Sequence, residues 1–172
     1  MNIRPADQYG GAGGQGSYAV SGLGTTSSYS ISFDQSLTYF GFWLSALDGG
    51  NHVIFYSGGD EVFSFSPVDV LNLVSGMPDY RGNPNGKFSG QNRSEPYVFL
   101  NFFADDAYSF DKIVFKQTNG AGYESDNHTV GIWKEQSGTV VPNSQVPEPS
   151  SLLLLMGALL GVAGTRTLRR QA

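Results

Sequence analysis

The densest polar cluster of the chain is Glu124-Ser125-Asp126-Asn127-His128. Its two carboxylates and an amide at alternate positions offer the hard oxygens that calcium takes, and loop carbonyls commonly complete such a shell. Asp7, in a glycine-rich stretch, supplies another oxygen if the N-terminal segment lies beside the last strand. Asp7, Glu124 and Asp126 are therefore candidate calcium ligands. The competing reading is a solvated turn closed by an Asx hydrogen bond. Other acids come in pairs, Asp60-Glu61 and Asp105-Asp106. A glycosidase holds two acids across a cleft, whereas neighbours in a turn face solvent. The histidines are His52 and His128, and chain order supplies no Ser/His/Asp geometry. No residue is assigned a catalytic role, and the expectation is a protein that is not an enzyme. Aromatic rings offer a different chemistry, stacking on sugar rings. Trp43, Tyr80 and Trp133 are the candidates, while most other aromatics fall at alternating strand positions and read as core.

Composition narrows the field. The chain has 172 residues, with 23 glycines and no cysteine. One domain plus a tail fits that length. The lack of cysteine excludes thiol catalysis and cysteine-ligated zinc, and leaves a core or a bound ion to stabilise any extracellular domain. Three of the ten basic residues are Arg166, Arg169 and Arg170, while all fifteen acids precede Ser150, so residues 1–149 carry a net charge of −8. That sign argues against a nucleic-acid partner.

The elements that must position these groups read as strands. Tyr29, Ile31 and Phe33 alternate with serines, the pattern of a half-buried strand. Phe40, Phe42 and Leu44 oppose Tyr39 and Trp43 on a strand apolar on both faces, which places it centrally in a sheet. Asp48-Gly49-Gly50-Asn51 predicts a tight turn, with His52–Tyr56 returning as a hairpin partner. A second turn at Ser57–Asp60 leads into Glu61–Phe65. Ser66-Pro67-Val68-Asp69 predicts a short helix with Ser66 as N-cap, ending near Val74. A polar loop spans Tyr80–Asn92, a core strand covers Glu95–Phe103, and strands at Phe110–Gln117 and Tyr123–Trp133 close the domain. The expected fold is all-β: an antiparallel sandwich or jelly roll of seven or eight short strands with one short helix. The expected divisions are a Gly-rich arm at 1–24, a sandwich at 25–134, a polar linker at 135–146 and a C-terminal sorting segment at 147–172. The arm is either flexible or an ordered loop packed through Tyr9 and Tyr18.

The tail has three parts in order. Val146-Pro147-Glu148-Pro149 is stiffened by two prolines and should be extended, the form a protease binds. An uncharged run follows through Leu152, Leu153, Leu154, Leu155, Met156, Leu159, Leu160 and Val162. Its thirteen residues to Gly164 span roughly 20 Å as a helix, against about 30 Å for a bilayer core. Flanking residues bring it near the lower limit of a transmembrane helix. Arg166, Arg169 and Arg170 form a basic stop that stays cytoplasmic and puts the domain outside. The order resembles the PEP-CTERM signal recognised by exosortases. The resemblance implies that the inner membrane holds the protein until the enzyme cuts near Pro147–Pro149.

Motifs upstream extend the resemblance. Pro5-Ala6-Asp7-Gln8-Tyr9-Gly10-Gly11-Ala12-Gly13-Gly14, Tyr39-Phe40-Gly41 with Trp43, Phe55-Tyr56-Ser57-Gly58, Gly82-Asn83-Pro84-Asn85, Glu95-Pro96-Tyr97 with Asn101-Phe102-Phe103, and Glu124–His128 follow in order. They are similar to a group of exosortase-dependent surface proteins. This implies secretion and a place at the cell surface or in the extracellular matrix, with a structural or adhesive role in a biofilm and polysaccharide as a partner. The resemblance implies no catalytic residues. The alternatives are a carbohydrate-binding module and a glycoside hydrolase. An export signal begins with a basic start and an apolar stretch; Met1–Asp7 has neither, so the expectation is a true start upstream of Met1.

Overall fold

The computed structural model describes residues 1–24, 27–105 and 107–133. Within them nine strands make two antiparallel sheets: β1 (Asn2–Pro5), β2 (Ser17–Ser21), β3 (Ser27–Leu37), β4 (Tyr39–Ser45), β5 (Asn51–Ser57), β6 (Asp60–Phe65), β7 (Val98–Phe103), β8 (Phe110–Gln117) and β9 (Tyr123–Gly131). One sheet has the order β1-β2-β9-β4-β7, the other β3-β8-β5-β6. The all-β sandwich is as the alternation suggests. The sequence-adjacent pairs that share a sheet are β1–β2 and β5–β6, and the other connections between consecutive strands cross from one sheet to the other. Thr38 alone joins β3 to β4.

The core lies between the sheets. Phe40, Phe42 and Leu44 of β4 are fully buried and meet Val53 and Phe55 of β5 and Ile113 and Phe115 of β8. Phe42 meets the Phe115 ring nearly edge-on, with centroids 5.2 Å apart, and Phe55 does the same with Phe110 at 5.0 Å. These are the offset and perpendicular geometries that aromatic quadrupoles favour. The single α-helix among the described residues, α1 (Val68–Val74), adds Val70 and Val74, one turn apart on its inner side.

Four expectations change. Residues 1–24 are not an arm outside the sandwich, because β1 and β2 extend the five-stranded sheet: β1 pairs with β2, and β2 with β9. The Asp48–Asn51 turn does not make a hairpin. Strand β4 is already paired with β7 on one edge and β9 on the other, so β5 has no edge to join and passes into the opposite sheet. The helix begins at Val68 rather than at a Ser66 cap; Pro67 stands at the cap position with φ −70° and no side-chain cap bond forms. Strand β7 starts at Val98 and lies at a sheet edge, which leaves Phe99 exposed on its outer side.

Candidate functional site

Side-chain direction along β9 divides the acidic cluster between two environments. The cluster lies within β9, inside the strand expected at Tyr123–Trp133, and not in a solvated turn. Ser125 and His128 both face inward: the Ser125 hydroxyl meets the Tyr29 hydroxyl of the other sheet at 2.6 Å, and the His128 ring stacks near Phe40 and Phe42. Two inward residues three apart break the period of two. A bulge accounts for it, since β4 and β9 shift register between Gly41 and Trp43 and Asn127 adopts φ 51°. Glu124 and Asp126 consequently face outward.

That outer face is roofed over half its length. Asp7 gathers its own loop, its carboxylate accepting from the Tyr9 and Gly10 N–H groups at 2.8 and 3.2 Å and from the Tyr18 hydroxyl at 3.1 Å. Gly10 lies flat on the Tyr18 ring, and a Cβ there would collide with it. Asp126 accepts from the Ala12 N–H at 2.8 Å, tying the glycine loop down onto β9. A second loop then locks the first. The Asn83 amide donates to the carbonyls of Asp7 and Gln8, the Tyr97 hydroxyl donates to Gln8 at 2.5 Å, and the Gly13 N–H donates to Asn85. Trp43 packs under this roof against Tyr97, with ring centroids 5.7 Å apart.

Glu124 is 7 % exposed beneath the roof. Burial, followed by repulsion from Asp48 and Asp7 and offset in part by Arg4, pushes its carboxyl from an ordinary 4.5 up to about 8. It is thus neutral through much of the pH range in which other acids are charged. Opposite it on β4, the buried Ser45 hydroxyl has no hydrogen-bond partner among the described residues. Tyr97 is pushed up to about 12, chiefly by burial.

The structure places the other candidates plainly. Asp7 and Asp126 each bond to backbone N–H groups, and among the described residues no three acids or histidines are grouped to hold a metal ion. Ser125 and His128 lie within 3.2 Å of each other, a nucleophile beside a base. Ser125 is fully buried and its hydroxyl is closed by Tyr29, so the trio braces the two sheets. Burial holds His128 below the usual imidazole value, with Asp126 acting the other way. On β5, His52 is also lowered, by burial and then by Lys116 beside it. Asp60 and Glu61 open β6, exposed to solvent. Tyr80 and Trp133 are exposed, whereas Trp43 is not. Asn83, Asn85 and Tyr97 were missed as parts of the site. The signal for Asn83 and Asn85 was the Asn-Pro-Asn run between two glycines, where amide side chains commonly cap backbone; Tyr97 had none.

At its far end the same outer face leaves Phe99 and Trp133 exposed among the described residues. Trp133 packs against Tyr39 with ring centroids 4.6 Å apart and planes tilted by 33°, Tyr39 against Phe103 at 4.9 Å and 46°, and the Tyr39 hydroxyl donates to Asn101 at 2.8 Å. Trp133 is the last described residue before the linker and the tail. Residues 145–170 of that tail match the PEP-CTERM protein-sorting motif family. The chain carries a PEP-CTERM sorting motif. Such a motif supports exosortase-dependent processing of an exported protein, with membrane-associated sorting followed by transfer to the cell surface. Val146–Pro149, the apolar run and the three arginines lie outside the described residues. Among the described residues no helix is long and apolar enough to cross a membrane. No curated protein and no solved structure matches the chain.

Proposed function

We propose that this chain is a surface protein delivered through its PEP-CTERM tail, with a structural or adhesive, non-catalytic role in extracellular polymer. The observation that carries the reading is the match of residues 145–170 to the sorting motif. In this reading the apolar run holds the precursor in the inner membrane, the basic stop fixes its orientation, and the exosortase acts at Val146–Pro149. A non-catalytic role draws support from the geometry upstream. The one Ser–His pair described above is sealed in the core, and the Asp7 and Asp126 carboxylates tie down loops. Because the chain has no cysteine, its stability outside the cell would rest on the packing of its buried aromatic core.

The test is deletion of residues 146–172 with expression in a host that has an exosortase. Full-length protein should appear first in the inner-membrane fraction and then, shortened at its C-terminus by mass spectrometry, at the cell surface. The deleted form should be neither retained nor shortened. Mature surface protein that still carries Leu152–Arg170 would refute the reading.

A further inference from the structure

We infer that the far end of the outer face, across β7, β4 and β9, is a binding strip for a neutral polysaccharide. The inference rests on the surface reading for its setting and takes its chemistry from the strip.

Glycines set the geometry. A Cβ on Gly41 would collide with the Tyr39 hydroxyl and sit 2.9 Å from the Phe99 ring, and one on Gly131 would sit 2.9 Å from the Trp133 indole. Without those atoms, the rings lie down along the sheet instead of standing on it. Tyr39 is the floor, 5 % exposed, while Phe99 at 46 % and Trp133 at 52 % present surface to solvent on either side of it. Between them stands the exposed Asn101. Its carbonyl oxygen accepts from Tyr39, so its amide hydrogens are oriented outward as donors.

The occupant follows from what the strip has and lacks. Flat rings flanking an amide donor match a pyranose chain, whose C–H faces stack on aromatics while its hydroxyls accept at the edge. The strip residues Tyr39, Gly41, Phe99, Asn101, Gly131 and Trp133 bear no charge, and residues 1–149 carry a net −8. Among the described residues of the strip, phosphate-rich partners, nucleic acid or an anionic membrane, meet no cation, and the net charge repels them overall. A second protein copy needs about 800 Å² per partner. Two half-exposed rings offer only on the order of 200 Å² of apolar surface. A sugar chain needs no more.

The experiment uses the full chain in mild detergent. Binding is measured by depletion onto microcrystalline cellulose and by retardation in gels containing xyloglucan or dextran, with alginate as the anionic comparison. Variants are Trp133→Ala and Phe99→Ala on the strip, and Tyr80→Ala and Tyr108→Ala as exposed rings elsewhere. Retention on at least one neutral polysaccharide is expected, weakened at least tenfold by each strip variant and unchanged by the controls. Melting temperatures of all four variants are compared, and Phe99→Ala, with its largely exposed ring, separates lost binding from lost folding. Three results would overturn the inference: no retention on any neutral polysaccharide, retention on alginate alone, or strip-dependent self-association by size exclusion without sugar binding. None of these bears on membrane retention or tail processing, so the surface reading stands or falls separately.

Discussion

At the residue scale the decisive group is Glu124. Its carboxyl is raised by burial and by neighbouring Asp48 and Asp7, so the folded protein holds this proton more tightly than the unfolded chain does. Between an ordinary 4.5 and about 8, the native state binds more protons than the unfolded state, and stability therefore falls as pH rises through that window. Above it the loss is complete. Through this window Glu124 should lower the wild-type melting midpoint as pH rises, while His52 and His128, held below the usual imidazole value, act the other way below 6.5. The Glu124→Gln variant should melt higher than wild type at pH 8.5, with a flatter profile and little difference at pH 5. Equal slopes for both proteins would show that another group sets the dependence. Tyr18 is raised too, mainly by its burial and by Asp7, but it titrates well above this window and does not confuse the reading.

At the element scale the roof over β9 is the point of leverage, because it is made of loops whose hydrogen bonds come largely from side chains. Gly10→Ala would drive a methyl group into the Tyr18 ring, and that ring cannot move without breaking its bonds to Asp7. A loss of about 1–3 kcal/mol is expected, the range for overpacking, read as a lower denaturation midpoint. Asp126→Ala should cost about 1–3 kcal/mol, because it leaves the Ala12 N–H without its acceptor under the roof. Exchange at the Ala12 amide should rise most. The strands beneath were legible from sequence because period-two alternation reports burial directly: Tyr29, Ile31 and Phe33 of β3 pack toward the core as their spacing indicates. The pairing was not. Nothing local to Asp48–Asn51 tells a hairpin from a crossing, since that depends on whether β7 and β9 already occupy both edges of β4. The acidic cluster misled for a similar reason. Tyr123–Trp133 was legible as a strand, but which of its side chains face the core was not, because the Asn127 bulge between β2 and β4 decides it. The partners of the Asp7–Gln8 backbone, Asn83 and Tyr97, were beyond reach because they stand 76 and 89 residues away in the chain.

At the scale of the whole molecule, stability rests on one aromatic core rather than on covalent links, since the chain has no cysteine. Phe42 touches Phe115 across the sheets and neighbours Phe40, Phe102 and His128. Phe42→Ala should cost about 3–5 kcal/mol, measured by chemical denaturation, a large part of what a domain of this size commonly has. Strand β9 is the last to leave the ribosome, yet it fills the gap between β2 and β4. Until it arrives the five-stranded sheet is two separate fragments, and long-range pairing of this kind is intrinsically slow. A nascent polypeptide short of β9 therefore stays open, and the apolar run begins at Leu152, 21 residues after the segment that lets the domain close.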